Sequence, residues 1–303
     1  MEAVGQRELA WLQKFGKPRF PREPLYRELY GHQEVNPQVQ MNILRDYLKV
    51  AAHIVPEDPE LCQPTIRHPD LSPNNIFISE SGDITGVIDW QHSTILPLFL
   101  QAKIPKHFQN WGDDDSETFR RPELPTDFDS LGESEKEKEL ELYRRRQLHY
   151  FYMGCTSINN RPHFLAMIKH SLIVRNRLYD TAGRPWEGDN TSLKAEIVQT
   201  ATCWPEIATS AMKEADFPVK YFDAEVAECL RIDAEQKDSD AQMQRVRDFI
   251  GVNIDGWVPT EHYEEARSKE RYIKEQALEA AETEEERKEI NEQWPWQDHE
   301  ELD

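Results

Sequence analysis

One stretch of this chain is patterned for β-structure and nearly everything around it is patterned for helix. Asn75-Ile76-Phe77-Ile78-Ser79 and Ile84-Thr85-Gly86-Val87-Ile88 are rich in β-branched and aromatic residues. Between them Ser81-Gly82-Asp83 is turn chemistry, so the segment predicts a hairpin with a short loop. Elsewhere apolar residues recur at helical spacing. The pattern predicts helices over 37–54, from about Ser134 through Tyr152, over 162–181, after the N-cap residues Asp189-Asn190-Thr191, and over 223–250 up to Gly251. A last helix follows Pro259, with Thr260 as its cap. Thr283 and Glu286 form a capping-box pattern that predicts a break and restart there. The fold class is therefore α+β, mainly α-helical, around one small hairpin.

Charge divides the chain. The 303 residues carry a formal net charge of −21. Residues 113–141 hold −8 and residues 260–303 hold −10, which leaves an ordinary globular balance elsewhere. The acidic blocks predict a solvated loop and a solvated tail. They suggest a domain over 1–258 and an acidic helical tail over 259–303. The acidity argues against nucleic acid as a partner, because phosphate contacts need clustered Lys and Arg. The longest apolar run, Ile95 to Leu100, is too short to span a bilayer. No secretory signal opens the chain. Its first 35 residues mix six Lys or Arg with five Glu, unlike an acid-poor presequence, so a cytoplasmic location is the fallback. Cys62, Cys155, Cys203 and Cys229 lie far apart in sequence and predict unpaired thiols.

The chemistry clusters at the ends of the hairpin. Arg67-His68-Pro69-Asp70-Leu71-Ser72-Pro73-Asn74-Asn75 enters it and Ile88-Asp89-Trp90-Gln91 leaves it. A turn centred on Gly82 would put Asn75 opposite Asp89, so that an amide oxygen and a carboxylate meet at the open end. That pair suits a hard cation such as Mg²⁺, which takes few protein oxygens and completes its shell with water and phosphate. Asp70, on the entering loop, could accept a proton from a substrate hydroxyl.

His68-x-Asp70, Asn75, a hairpin and Ile88-Asp89-Trp90 together resemble the catalytic centre of the aminoglycoside phosphotransferase and choline-kinase branch of the kinase-like fold. Ala3-Val4-Gly5, Arg7 to Leu12, Trp90-Gln91-His92 and Arg145 to Phe151 are similar to the fungal altered inheritance of mitochondria protein 9 group, over roughly residues 3–265. The resemblance implies a protein-kinase-like large lobe. Asp70 would be the catalytic base, His68 a loop residue of the same catalytic motif, and Asn75 and Asp89 the magnesium ligands. ATP and Mg²⁺ would be the cofactors, a small-molecule hydroxyl the substrate, and the mitochondrion the location.

The small N-terminal lobe of such a fold has no counterpart in the sequence. No GxG occurs, the only glycines before His68 are Gly5, Gly16 and Gly31, and Lys14, Lys17 and Lys49 have no strand context. A missing lobe predicts an exposed apolar surface near Leu9, Trp11 and Leu12. Arg144, Arg145 and Arg146 project about 100° apart on a helix and predict solvated or individually paired arginines. His149 lies among aromatics and predicts packing. The 113–141 loop could attract a polycation, although a solvated excursion is the simpler reading. Two functions follow. One is a small-molecule phosphotransferase. The other is a non-catalytic kinase-like protein acting through its acidic tail on a protein partner.

Overall fold

The computed structural model describes residues 1–17, 36–252, 258–294 and 296. Gly31 and the last residues of the acidic tail lie outside them. The chain divides into two compact units. The first holds Met1, 49–180 and 199–218, and the second holds 2–48, 181–198 and 219–303.

In the second unit, helix α1 is Glu2–Phe15 and helix α2, Pro37–Ala51, continues into the first unit. The start of α2 is set by Pro37 at its first position and by Asn36, whose Oδ1 accepts from the Gln38 amide at 2.9 Å. Its buried residues Ile43, Leu44 and Tyr47 follow one helical face. Gly5 of α1 lies against Tyr47, and a Cβ there would come within 2.7 Å of the ring. Leu12 is 1% exposed, and Leu9 and Trp11 are half-buried. The expected apolar exposure at these residues is therefore absent, because α1 turns them into the unit's own core.

The first unit carries both sheets of the described residues. Strand β1, Pro64–Ile66, pairs antiparallel with β4, Ile95–Pro97. This ladder is unannounced in sequence, because its strands are three residues long and lie 28 residues apart. Strand β2, Ile76–Ile78, pairs with β3, Ile84–Val87, as the hairpin expected. The core packs Leu98, Phe99, Leu100 and Ala102 around helix α3, Leu98–Gln101, against Ala166 and Leu172. Those two come from helices α6, Arg161–Ile168, and α7, His170–Gly183. The single helix expected over 162–181 is thus two. Lys169 leaves the helical backbone at ψ 114°, and its carbonyl accepts the amides of Leu172 and Ile173 to start the next helix.

The acidic segment 113–141 is not simply a solvated excursion. It contains a short helix α4, Asp114–Glu117, and the start of α5, Glu133–Asn159. Arg146 of α5 holds Asp113 at 2.6 Å and Asp115 at 2.8 Å. Arg144 and Arg145 share Glu141, so each of the three arginines is paired but two of them have one partner in common. His149 is fully buried between Trp111 and Phe119, and burial lowers its pKa. The remaining helices are α8, Ser192–Thr202; α9, Trp204–Ile207; α10, Asp223–Ile250; α11, Tyr263–Ala280; and α12, Glu284–Gln293. Helix α10 stops at Gly251, whose φ of 90° needs a glycine. Helix α12 starts at the Thr283 capping box. No helix of the described residues is long and apolar enough to cross a membrane.

Candidate active site

The loop Arg67–Asn75 is organised by its own side chains. Asn75 ends a short 3₁₀ turn, Pro73–Asn75, opened by Pro73. Its Nδ2 donates to the Asp70 carbonyl at 2.8 Å and lies 3.5 Å from Asp70 Oδ2. Three of the four residues singled out in sequence are therefore joined in one loop, because His68 accepts the Asp70 amide on Nδ1 at 3.2 Å. The other ring nitrogen of His68, Nε2, lies 2.7 Å from the Ile88 carbonyl. A carbonyl can only accept, so Nε2 carries the proton and Nδ1 is the acceptor. His68 thus ties the entering loop to the strand that leaves the hairpin.

The hairpin register differs from the expected one. Ile76 faces Val87 and Phe77 faces Gly86, but Ile78 faces Ile84, so Thr85 is an extra residue in β3. The turn itself centres on Ser81 and not on Gly82, as the Ser79 amide on the Asp83 carbonyl shows, and the bulge recovers only one of the two residues by which this register departs from the expected one. Asn75 consequently stands across from Ile88, whose amide donates to the Asn75 carbonyl at 3.0 Å, and not across from Asp89. Asp89 comes one residue later, with φ of 65°, and leaves the strand in a left-handed turn. An aspartate in that region costs about 1 kcal/mol or more and is found where a special backbone course is needed. The following Trp90 folds back: its indole donates to the Val87 carbonyl at 2.9 Å and its ring meets His68 edge-on at 4.8 Å.

Two features escaped the sequence reading. His107 sits with Nε2 3.5 Å from Asp70 Oδ1, and nothing in the sequence around Lys106-His107-Phe108 announces it. Arg67 was visible only as a neighbour of His68. Its guanidinium reaches the Gln101 and Lys103 carbonyls, the Tyr152 hydroxyl and the ring of His163. Adjacency to a loop of chemical residues is the one signal that could have marked it.

Asp70 and Asp89 are exposed, and His68 and Asn75 are half-buried. Exposed apolar residues surround them: Phe77, Ile78, Ile84, Ile88 and Trp90 on or beside the hairpin. The donor chemistry fits a hard cation. Asn75 spends its NH₂ group on Asp70, leaving Oδ1 as the amide's ligand atom, and Asp89 offers a carboxylate. No group of three or more His, Cys, Asp or Glu suited to a metal occurs among the described residues, so a cation here would draw its further ligands from water and phosphate.

The model of the phosphotransferase enzyme family matches residues 6–99, which include this whole loop and hairpin. A subtelomeric hrmA-associated cluster protein of Aspergillus fumigatus is 28% identical over 302 residues, 98% of this chain and 57% of that protein. Altered inheritance of mitochondria protein 9 of Kluyveromyces lactis is 25% identical over 183 residues, 60% of this chain and 29% of that protein. The Saccharomyces cerevisiae protein of the same name is 21% identical over 224 residues, 74% of this chain and 34% of its own length. The chain therefore spans between about a third and just over half of these relatives. No solved structure matches.

Proposed function

We propose that this chain carries the acceptor-side half of a kinase-like phosphotransferase site, acting on a hydroxyl of a small molecule with ATP and Mg²⁺. The observation that carries the reading is the closed circuit Asn75–Asp70–His68–Ile88, which presents a candidate base and a candidate metal ligand at one end of one hairpin. The similarity of residues 6–99 to phosphotransferase enzymes supports it.

In this reading Asp70 accepts a hydrogen bond from the substrate hydroxyl and takes its proton as the oxygen attacks. Asn75 Nδ2 bonds the Asp70 backbone and stands beside Oδ2, which orients the carboxylate toward an incoming hydroxyl. His68 holds the loop against the hairpin without touching substrate. Asn75 Oδ1 and the Asp89 carboxylate would hold Mg²⁺. When bound, Mg²⁺·ATP supplies the transferable phosphoryl group with part of its charge neutralised. Most of the rate would come from positioning and charge stabilisation. The altered inheritance of mitochondria protein 9 relatives carry "mitochondrial" in their names, which supports the mitochondrion as the site of action.

A second reading is a non-catalytic kinase-like binding protein, with the 259–303 tail as its interaction element. It is favoured by what precedes His68: among the described residues these are α1, α2 and β1, with no lysine-bearing strand. Calorimetry of Mg²⁺·ATP with the purified chain separates the two. Weak binding, with a dissociation constant above micromolar, is expected, because the described residues before His68 offer no lysine-bearing strand to hold the phosphates. Weakened Mg²⁺·ATP binding in Asp89→Ala supports the phosphotransferase reading. Binding unaltered by Asp89→Ala sinks it.

A further inference from the structure

We infer that Arg67 is the positioning residue of the candidate base, holding the Asp70 loop to the helices from the side opposite the hairpin. This rests on the reading of Asp70 given above.

Two consecutive side chains, Arg67 and His68, tie the Asp70 loop to different partners. On the hairpin side, His68 bonds the Ile88 carbonyl at 2.7 Å and receives the Asp70 amide at 3.2 Å. On the helix side stands Arg67. Its Nη1 donates to the Lys103 carbonyl at 2.6 Å and the Gln101 carbonyl at 2.9 Å, just after α3. The same nitrogen lies 2.6 Å from His163 Nε2 of α6, and Nη2 donates to Tyr152 Oη of α5 at 2.7 Å. One side chain thereby fixes the residue before His68 to three separate pieces of the unit. Without it, the loop keeps the hairpin, which is largely exposed, the exposed His107 ring beside Asp70 and the end of β1.

Three acceptors gather round Nη1 and the Tyr152 hydroxyl takes Nη2, so the set spans two nitrogens of a guanidinium. A guanidinium only donates, so the His163 Nε2 atom must carry the lone pair. Burial first, and the Arg67 charge second, push His163 down to about 4, which keeps it a neutral acceptor at physiological pH. A lysine places one compact ammonium where Arg67 spreads a planar fork across several acceptors. Three of the four contacts are half-buried, whereas the one to the Lys103 carbonyl and Asp70 itself are exposed. Order at Asp70 therefore has to be imported from a better-packed anchor, and Arg67, half-buried against the helices, supplies one three residues away.

Amide hydrogen exchange and histidine-ring ¹⁵N spectra of the purified 303-residue chain test this without requiring activity. Wild type should show His68 fixed as the Nε2–H tautomer and a protected Asp70 amide. In Arg67→Met, Asp70 exchange should accelerate about tenfold and the His68 ring should average its tautomers, while amides of β2, β3 and the Leu98–Leu100 core keep their protection. Arg67→Lys should recover less than half of the change, and Tyr152→Phe should show about a third of it. The inference is overturned if folded Arg67→Met keeps the wild-type Asp70 and His68 signals. It is equally overturned if protection falls uniformly across the core, since that is a purely structural role. Should Arg67→Met fail to fold, Tyr152→Phe and His163→Gln are read by the same criteria, and no local change in either overturns it. The reading of the site is checked apart from this. Mn²⁺ that leaves the Asn75 side-chain amide unbroadened in wild type sinks the metal site and leaves the Arg67 result standing.

Discussion

Arg175 and Arg67 lie in the same unit and both satisfy a guanidinium inside the protein, but they spend it differently. Arg175 gives Nε to the Ile54 carbonyl at 2.6 Å, Nη1 to Ser171 at 2.9 Å and Nη2 to Ile207 at 2.8 Å. All three acceptors are backbone, and burial pushes its pKa down to about 10, so it stays charged at neutral pH. Arg67 divides itself between backbone carbonyls and two side chains that can themselves change state, Tyr152 and His163. One arginine staples chain segments together. The other stands next to the residues with chemistry. The difference teaches that burial of a charged group marks architecture, and that the nature of its acceptors tells which buried groups serve a site.

The largest expected effect lies at the end of the Arg67 circuit. In a form of the protein with phosphotransfer activity, Asp70→Ala should lower the rate by about 10²–10⁴-fold with little change in nucleotide affinity, while Asp89→Ala should weaken Mg²⁺·ATP binding as well. Equal loss of nucleotide binding in both variants, measured by calorimetry, would remove the distinction between base and ligand.

Next comes the staple itself. Arg175→Met removes three buried hydrogen bonds from a charged donor to backbone carbonyls and should cost about 3–5 kcal/mol in urea unfolding. Arg67→Met should cost about 1–2 kcal/mol, because its neighbours are nearer to solvent. If the two losses were the same, the contrast between scaffold and site would fail.

A smaller effect depends on pH. The folded pKa of His163, about 4, lies below its unfolded value of about 6.5. The unfolded chain then binds more protons between these limits, so stability falls as pH drops from about 6.5 to 4 and is unaffected above. The loss between pH 7 and 5 should be about 1–2 kcal/mol and should vanish in His163→Gln. His149 titrates in the same direction for the same reason, burial, and sets the background against which that difference is read. The smallest change expected is the global stability of Arg67→Lys, within about 1 kcal/mol of wild type, although its loop should be visibly looser. A melting curve and the Asp70 exchange rate together would show the two readouts parting.

Much of this molecule is written locally. The hairpin's β-branched runs and Gly82 turn, the Gly251 stop of α10, the Thr283 restart and the pairing of Arg144 and Arg145 with Glu141 are decided by neighbours a few residues away. So is the gathering of His68, Asp70 and Asn75, because eight residues of loop contain all three. Tertiary structure decided the rest. The hairpin turned about Ser81 and the Thr85 bulge made up only part of the difference, which left Asp89 one residue past the partner of Asn75, and such a slip has no signature in a pattern of period two. The β1–β4 ladder, the split at Lys169, the capture of Asp113 by Arg146 and the Arg67 anchor all join residues that the sequence keeps apart. Spacing along a chain reports which side chains share a face. Which distant group a buried guanidinium or carboxylate meets is settled only when packing removes water and leaves each polar atom one partner in reach.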